Sequence, residues 1–371
     1  MKIMLVTDAW DPQVNGVVTT MKRVIAETEA MGHEWAIVSP ADGFPTIPLP
    51  TYSEIKLALF ARRKIEDRFH EFEPDAVHIV TEGTLGMAAR AMCIKLKHPF
   101  STAYHTRFPE YVSARMPIPV SWGYSFVRWF HKYSGKVMVP TPSMVEELDG
   151  RGFRNTVAWS RGVDTERFHP SRRVEEGAEG DPFEGLPRPI FINVGRVAVE
   201  KNIEAFLTCD LPGSKVVVGD GPHLETLKQK FPNATYTGAK FDDELATMFA
   251  SADVFVFPSL TDTFGLVVLE AMASGTPVSA FDATGPRDVI PGSGAGLIAK
   301  DASGLAEASI GCLDLHRARC REYAEGYSWR ACAEDFVENL QPLPAPEHKR
   351  FWQKIRLIRR GRNAKVSEPS V

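Results

Sequence analysis

Pro258-Ser-Leu-Thr-Asp-Thr-Phe-Gly-Leu-Val-Val-Leu-Glu-Ala-Met-Ala-Ser-Gly-Thr-Pro-Val278 holds two carboxylates, Asp262 and Glu270, with seven residues between them. The apolar run Val254-Phe-Val-Phe257 just before it predicts a buried strand. Ser259 to Gly265 then reads as the exit loop, and Leu266 to Ser274 as a helix stopped by Gly-Thr-Pro before another short strand. In a parallel sheet, that loop and helix start lie at the carboxyl end of the strand, where open α/β folds bind ligands. Asp262 in the loop and Glu270 a turn or more into the helix can then reach one bound molecule. The backbone N–H of Gly265 can meet a phosphate or sugar oxygen there. Read apart from its neighbours, the same pair is a helix-start acid and a solvated glutamate.

Working outward, the chain divides into two α/β halves. The first opens with a strand Lys2 to Thr7, a loop Asp8 to Gly16, a helix from about Val17 to Met31 and a strand Trp35 to Ser39. Further strands are expected at Ala76 to Val80, Phe100 to Tyr104 and Lys136 to Pro140, with helices between them, which is the βαβ pattern of a parallel sheet. Residues 167–188 are charged and rich in Pro and Gly, and read as a linker. The second half restarts with a strand Pro189 to Val194 and continues with strands at Lys215 to Val218 and Ala234 to Tyr236. The expected divisions are 1–166, 167–188, 189–335 and a final 336–371 segment. Two such halves enclose a cleft, a preferred ligand site.

Several loops carry candidate chemistry. Asn193-Val-Gly-Arg-Val-Ala-Val-Glu-Lys-Asn202 places Arg196 and Lys201 between a strand and a helix. Arg offers a planar fork and Lys a point charge to an anion, although Glu200 can also pair with them. Gly219-Asp-Gly-Pro222 is a tight turn in which Gly219 and Gly221 let backbone approach closely, and Lys240 follows Gly238 after the next strand. In the first half, Asp11-Pro-Gln-Val-Asn-Gly16 leads into a helix, so Gly16 can bring its backbone to a phosphate. Tyr104-His-Thr-Arg-Phe-Pro-Glu-Tyr111 follows a strand end and points His105 at the cleft.

Taken together and in this order, these segments resemble family 4 of the retaining glycosyltransferases with the GT-B fold. The resemblance runs from about Met1 to Pro291, and it implies two Rossmann-like domains facing across a cleft, with a last helix near Trp329 to Leu340 crossing back to the first. It also implies a nucleotide-sugar donor. Gly16, Arg196, Lys201 and Gly265 would meet its diphosphate, and Gly219, Gly221, Lys240 and Glu270 its nucleoside, Glu270 through the ribose hydroxyls. His105 and Asp262 would face the sugar. The first acid of the family's pair is usually Glu; here it is Asp262, one methylene shorter. Thr141-Pro-Ser-Met144 and Arg161-Gly-Val-Asp164 complete the likeness, Asp164 marking the approach to the hinge.

The His-Thr and Thr-Asp-Thr-Phe-Gly versions are similar to members that glycosylate lipids, implying a hexosyltransferase acting from a UDP- or GDP-sugar on a membrane lipid. A soluble enzyme acting on a small alcohol or sugar phosphate, and a non-catalytic binder of nucleotide sugar or lipid, stay open. No D-x-D, H-E-x-x-H or P-loop occurs, so neither a metal nor a cofactor is expected.

Composition bounds the rest. A chain of 371 residues suits two domains, and a net charge of −4 excludes a generally basic nucleic-acid binder. The five cysteines are scattered without a C-x-x-C, so reduced thiols are expected. No secretion signal opens the chain, which predicts a cytoplasmic protein, peripheral on the inner face of the membrane. Two stretches suggest that anionic surface as a partner. Tyr111 to Val145 has no acid, while Arg115, Arg128, Lys132 and Lys136 alternate with Trp122, Tyr124, Phe126, Trp129, Phe130 and Tyr133. From Pro346 onward, eight Lys or Arg stand against two Glu, on a possible amphipathic helix with Phe351, Trp352, Ile355 and Ile358 on its apolar side.

Overall fold

The computed structural model describes residues 1–13, 15–49, 52–113 and 116–366. Arg115, residues 367–371 of the tail and the side chain of Ile358 lie outside the described residues. In the first half the strands are β1 (Lys2–Val6), β2 (Glu34–Val38), β3 (Thr46–Leu49), β4 (Tyr52–Ala58), β5 (Ala76–Ile79), β6 (Ser101–Ala103), β7 (Lys136–Val139) and β8 (Thr156–Ala158). Six of them form a parallel sheet in the order β2-β1-β5-β6-β7-β8, and β3 and β4 form a separate antiparallel hairpin. The second half has β9 (Ile190–Val194), β10 (Ser214–Val218), β11 (Thr235–Gly238), β12 (Val254–Phe257), β13 (Val278–Phe281) and β14 (Gly296–Ala299), all parallel, in the order β11-β10-β9-β12-β13-β14.

The central strands read as apolar runs because helices cover both faces. All five residues of β9 are buried. Its one polar member, Asn193, donates from Nδ2 to the carbonyl of Val256 at 2.9 Å, so the buried amide ties β9 to β12. Strand order reverses between β1 and β5 in the first sheet and between β9 and β12 in the second. Loops leaving such neighbours turn to opposite faces and open a crevice.

The two domains are joined twice. Residues 167–188 lie against the second domain, with Phe168 and Phe183 buried in its core. Helix Trp329–Asn339 returns to the first domain, where Trp329, Cys332 and Phe336 share a core with Ile3, Leu5, Met21 and Trp159. The Trp159 indole donates to the Cys332 carbonyl at 2.9 Å, and Val163 N–H donates to Tyr327 O at 3.0 Å. A Cβ on Gly162 would stand 2.4 Å from the Trp329 nitrogen, so only glycine lets the two crossings lie side by side.

Two expectations about the lipid-facing surface are corrected. Helix Ala345–Val366 does not turn Trp352 and Ile355 outward; they are 3% and 8% exposed. Trp352 packs on Phe69 with ring centroids 4.9 Å apart, Phe351 joins the same cluster, and Arg356 pairs with Glu73. The apolar side of the tail is therefore part of the first domain's core, since burial there removes more area from water than a surface position would. In the Tyr111 to Val145 stretch, Tyr124 and Phe130 are likewise buried. What stays outside is one stripe, Trp122, Phe126 and Trp129 on helix Val120–His131 with Tyr133 just after it.

Removing the Trp352 ring tests this placement. Trp352→Ala should cost about 3–5 kcal/mol by the lost burial and the cavity left behind. Urea unfolding of the full chain measures it, and a loss under about 1 kcal/mol would detach the helix from the core.

Candidate functional site

The carboxyl-end loops of neighbouring strands bring most of the expected second-domain residues together. After β9, the short turn Val199–Lys201 carries Lys201, whose Nζ lies 2.6 Å from Asp262 Oδ1 and 2.8 Å from Oδ2 in the loop after β12. Burial alone would pull the Lys201 ammonium down. Asp262 and the nearby Tyr111 outweigh that and hold it above the usual lysine range. Arg196 pairs with Glu200, whose carboxylate is almost fully buried. Each cation of the expected diphosphate clamp thus carries a carboxylate that an incoming anion has to displace.

Gly219 and Gly221 take φ of 152° and 153° in the turn after β10. A Cβ on Gly219 would lie 1.8 Å from Gly195 O, and one on Gly221 2.4 Å from Val197 O. Here the glycines serve the packing of this turn on the Arg196 loop, which is a different reason from the close approach to a ligand read in the sequence. Lys240 sits after β11, two strands from β9, with Nζ 3.3 Å from Glu244 Oε1. It is not brought to the Lys201–Asp262 pair.

Gly265 has φ 83° and caps helix Leu266–Ala273; a Cβ there would press on the Phe257 ring at 3.1 Å. Gly16 opens helix Gly16–Ala30, where the Asn15 side chain already accepts from Val17 and Val18 N–H at 3.0 Å. A Cβ on Gly16 would stand 3.7 Å from Leu266 Cδ1, so the starts of these two helices, one from each domain, face each other across the cleft. Glu270 lies farther along its helix, toward the hinge. Burial raises its carboxyl to about 7, against the pull of Arg167 and Arg23 and with the push of Asp164. Asp164 itself pairs with Arg23 at 2.6 Å.

On the first-domain side, His105 follows β6 and is half-buried, its ring edge-on to Trp159 at 5.8 Å. Burial, then Arg161, His78 and His131, push the imidazole well below its ordinary pKa, so it is neutral. Arg161 Nη2 stands 3.4 Å from His105 Nδ1. Because a guanidinium only donates, Nδ1 holds the lone pair and Nε2 the proton. The buried Nε2 has no protein partner among the described residues. His105 is therefore a neutral imidazole whose Nε2–H is left over as a donor.

Contacts that the sequence does not reveal close the cleft. Thr263 Oγ1 donates to His105 O at 2.6 Å, and Arg107, paired with Glu147, donates to Thr284 Oγ1 at 3.0 Å. Ser143 N–H donates to Asp288 Oδ1 at 3.0 Å, and the Ser143 hydroxyl donates to the other carboxylate oxygen. The threonines flanking Asp262 were in plain sight. The Thr284-Gly-Pro turn carries its signal in the Gly-Pro dipeptide, and the fold requires that glycine, since Gly285 has φ 91° and a Cβ there would meet Phe264 O at 2.5 Å.

Comparison with known proteins gives this geometry its family. The family model for glycosyl transferases group 1 matches residues 188–314, and that for Glycosyltransferase Family 4 matches residues 14–167. The chain is 33% identical over 306 residues to the sulfoquinovosyl transferase SQD2 of Arabidopsis thaliana, covering 75% of this chain and 59% of that protein. It is 31% identical over 322 residues to a GDP-mannose-dependent alpha-mannosyltransferase of Mycobacterium tuberculosis, covering 80% of this chain and 83% of that one. It is 29% identical over 313 residues to the alpha-monoglucosyldiacylglycerol synthase of Streptococcus pneumoniae, covering 76% and 71%. Among solved structures, Anabaena HepE in complex with UDP-glucose superposes with a TM-score of 0.70 at 15% identity, over 91% of this chain and 98% of that one. The two facing parallel-sheet domains are the GT-B fold, and the chain belongs to the group 1, family 4 glycosyltransferases and is a glycosyltransferase.

Proposed function

We propose that this enzyme transfers a hexosyl group from a UDP- or GDP-sugar to a membrane lipid, retaining the anomeric configuration and requiring no metal. The observation that carries the reading is the Lys201–Asp262 pair, set between the loops of β9 and β12 where the strand order reverses and covered by the first domain. A leaving nucleoside diphosphate needs fixed positive charge. Arg196 and Lys201 supply it once the anion displaces Glu200 and Asp262. Freed from Lys201, Asp262 stands beside the site as a negative charge suited to an oxocarbenium-like sugar. The acceptor hydroxyl attacks the anomeric carbon on the face the diphosphate leaves. The carbon–oxygen bond to the diphosphate breaks as the new one forms, and the hydroxyl proton passes to the departing phosphate oxygen. No protein base is required, in keeping with a neutral His105 that donates from Nε2 to a sugar hydroxyl. The lipid acceptor is supported by the relative whose name specifies diacylglycerol, and the GDP-sugar option by the GDP-mannose-dependent relative. Incubating the enzyme with UDP- and GDP-hexoses and a membrane lipid extract, then reading the anomeric configuration of the product by NMR, tests the whole proposal.

Arg196→Ala or Lys201→Ala should each remove about 2–4 kcal/mol of transition-state stabilisation, read from kcat/KM. EDTA should leave activity unchanged. Activity lost to EDTA and restored by Mg or Mn would reassign the diphosphate charge to a metal.

Glu270 sets a pH dependence. Its folded pKa of about 7 lies above the ordinary value of about 4.3. Its contribution to folding stability is therefore fully present below the lower value and is lost as pH rises through 7. Ribose hydroxyls donating to the carboxylate favour the charged form, so donor binding releases a proton. Donor affinity should then rise from pH 6 to pH 8, and Glu270→Gln should flatten that rise; calorimetric titration with UDP and GDP at each pH measures both.

The aromatic stripe is proposed as the face that meets the bilayer. Trp122 is 71% exposed, Trp129 44% and Tyr133 57%, at helical spacing with Phe126, and Arg128 and Lys132 flank them in solvent. Arg90 fixes the stripe from beneath, its guanidinium 4.1 Å from the Trp129 ring and bonded to the carbonyls of Phe130 and Trp129. Among the described residues no helix is long and apolar enough to cross a membrane. Trp122→Ser with Trp129→Ser should reduce binding to anionic vesicles about tenfold or more at constant salt. Unchanged sedimentation with such vesicles would remove this face from the proposal.

A further inference from the structure

The first domain carries a guanidinium that is fixed on its own side of the cleft and has one hydrogen left for the other side. Arg107 follows His105 in the loop after β6, and its side chain is only 12% exposed. Nη1 donates to Glu110 Oε1 at 3.3 Å and to Glu147 Oε1 at 3.1 Å, and Nη2 pairs with the second oxygen of Glu147. Both carboxylates have further holders in the same domain: Tyr124 donates to Glu110 Oε1 at 2.6 Å, and Arg151 Nη2 to Glu147 Oε1 at 3.0 Å. The remaining hydrogen on Nη2 crosses the cleft to Thr284 Oγ1 at 3.0 Å. With its oxygen accepting from Arg107, the buried Thr284 hydroxyl turns its own hydrogen to the Asp262 carbonyl, 3.4 Å away. Gly285, the next residue, lies so close to Phe264 O that a Cβ would stand 2.5 Å from it, so this turn and the Asp262 loop pack backbone to backbone. One residue past the acid, Thr263 Oγ1 donates to His105 O at 2.6 Å. The backbone around Asp262 is thus tied to the His105–Arg107 segment at two points, while its carboxylate is bonded to Lys201.

We propose that Arg107 is a cross-cleft positioning residue for Asp262: its guanidinium aims the Thr284 hydroxyl at the Asp262 carbonyl, so that seating the first domain fixes the acid's backbone when the donor diphosphate takes Lys201. The inference rests on the reading of Asp262 as the residue facing the donor sugar, and it gives domain closure a specific task. With the domains apart, Thr284 loses the donor that orients its hydroxyl, and Thr263 loses the His105 carbonyl. A hydroxyl that accepts from a cation is a stronger donor in turn, so the bond to the Asp262 carbonyl strengthens on closure. The Glu110 and Glu147 contacts lie within the first domain and do not depend on closure. The planar fork is therefore already aimed when the cleft closes, and little side-chain freedom is lost in making the bond.

Thr284→Val removes the relay at nearly the same volume, and Thr284→Ser keeps the hydroxyl. In the full-length enzyme, Thr284→Val should lower kcat about tenfold with the nucleotide-sugar KM within about twofold, and Thr284→Ser should return kcat to within about twofold of wild type. Arg107→Lys keeps a charge beside Glu147 but not the fork, and should lose as much as Thr284→Val. The double variant should lose about tenfold, against about a hundredfold for independent sites. Wild-type kcat in Thr284→Val, an equal loss in Thr284→Ser, a loss confined to KM, or a multiplicative double variant overturns the proposal. Should Arg107→Lys not fold, the two Thr284 variants decide the question alone. If wild type transfers sugar from no UDP- or GDP-hexose, the proposed function fails separately. The tie is then read from hydrogen exchange of the 258–265 amides: exchange about threefold faster or more in Thr284→Val but not in Thr284→Ser upholds it, and wild-type exchange in Thr284→Val overturns it.

Discussion

A half-buried ammonium bonded to a carboxylate at 2.6 Å is the contact on which the rest of this structure turns. As a source of stability such a pair is poor, because desolvating both charges offsets most of their attraction. Its value lies in what it prepares. Lys201 is kept charged by Asp262 and Arg196 is held by Glu200, so on the proposed function the positive field a leaving diphosphate needs is in place before the donor arrives, at the cost of an exchange of anions. That exchange requires the two loops after β9 and β12 to be neighbours, which in turn requires the strand order to reverse between them.

The two kinds of contact between the domains differ in physical character. The crossing helix is seated by apolar burial, with Trp329 and Phe336 packed around Trp159, and does not let go without unfolding part of the first domain. Across the cleft the contacts are mainly polar: Ser143 with Asp288, Thr263 with the His105 carbonyl, Arg107 with Thr284. Water can replace each of these at little net cost. The hinge is therefore permanent and the cleft separable, the combination an enzyme needs if its donor is to enter between two domains and be enclosed there.

Much of this was legible in the residues. The βαβ alternation gave two parallel sheets because buried strands must be apolar runs, and the Gly-Arg and Asp-Thr-Phe-Gly loops were placed correctly because a strand end fixes where its loop begins. The elements that escaped are those whose stability is tertiary. β8 and β14 are sheet-edge strands without a clean apolar run, and β3 contains Pro48, which argues against a strand except at an edge. The tail misled for a related reason: an apolar stripe opposite basic residues is the same pattern whether it meets lipid or Phe69. The partners of each site residue were equally hidden. Sequence spacing can bring Arg196 and Lys201 to one loop, but that Lys201 lies on Asp262, sixty-one residues away, is a property of the folded sheet.

The protonation states close the chemistry. A retaining transferase that used a protein base would need a group titrating near neutrality within reach of the acceptor, and the side chain best placed by sequence, His105, is held neutral by burial and by Arg161. Glu270, which burial raises to about 7, faces Arg23, Asp164 and Arg167 near the hinge rather than His105. In the proposed mechanism proton transfer falls to the departing phosphate, whose oxygens lie next to the attacking hydroxyl when attack and departure share one face of the sugar. On the proposed mechanism the protein contributes fixed charge and fixed geometry: two cations for the diphosphate, one carboxylate for the sugar, and a neutral imidazole to orient it.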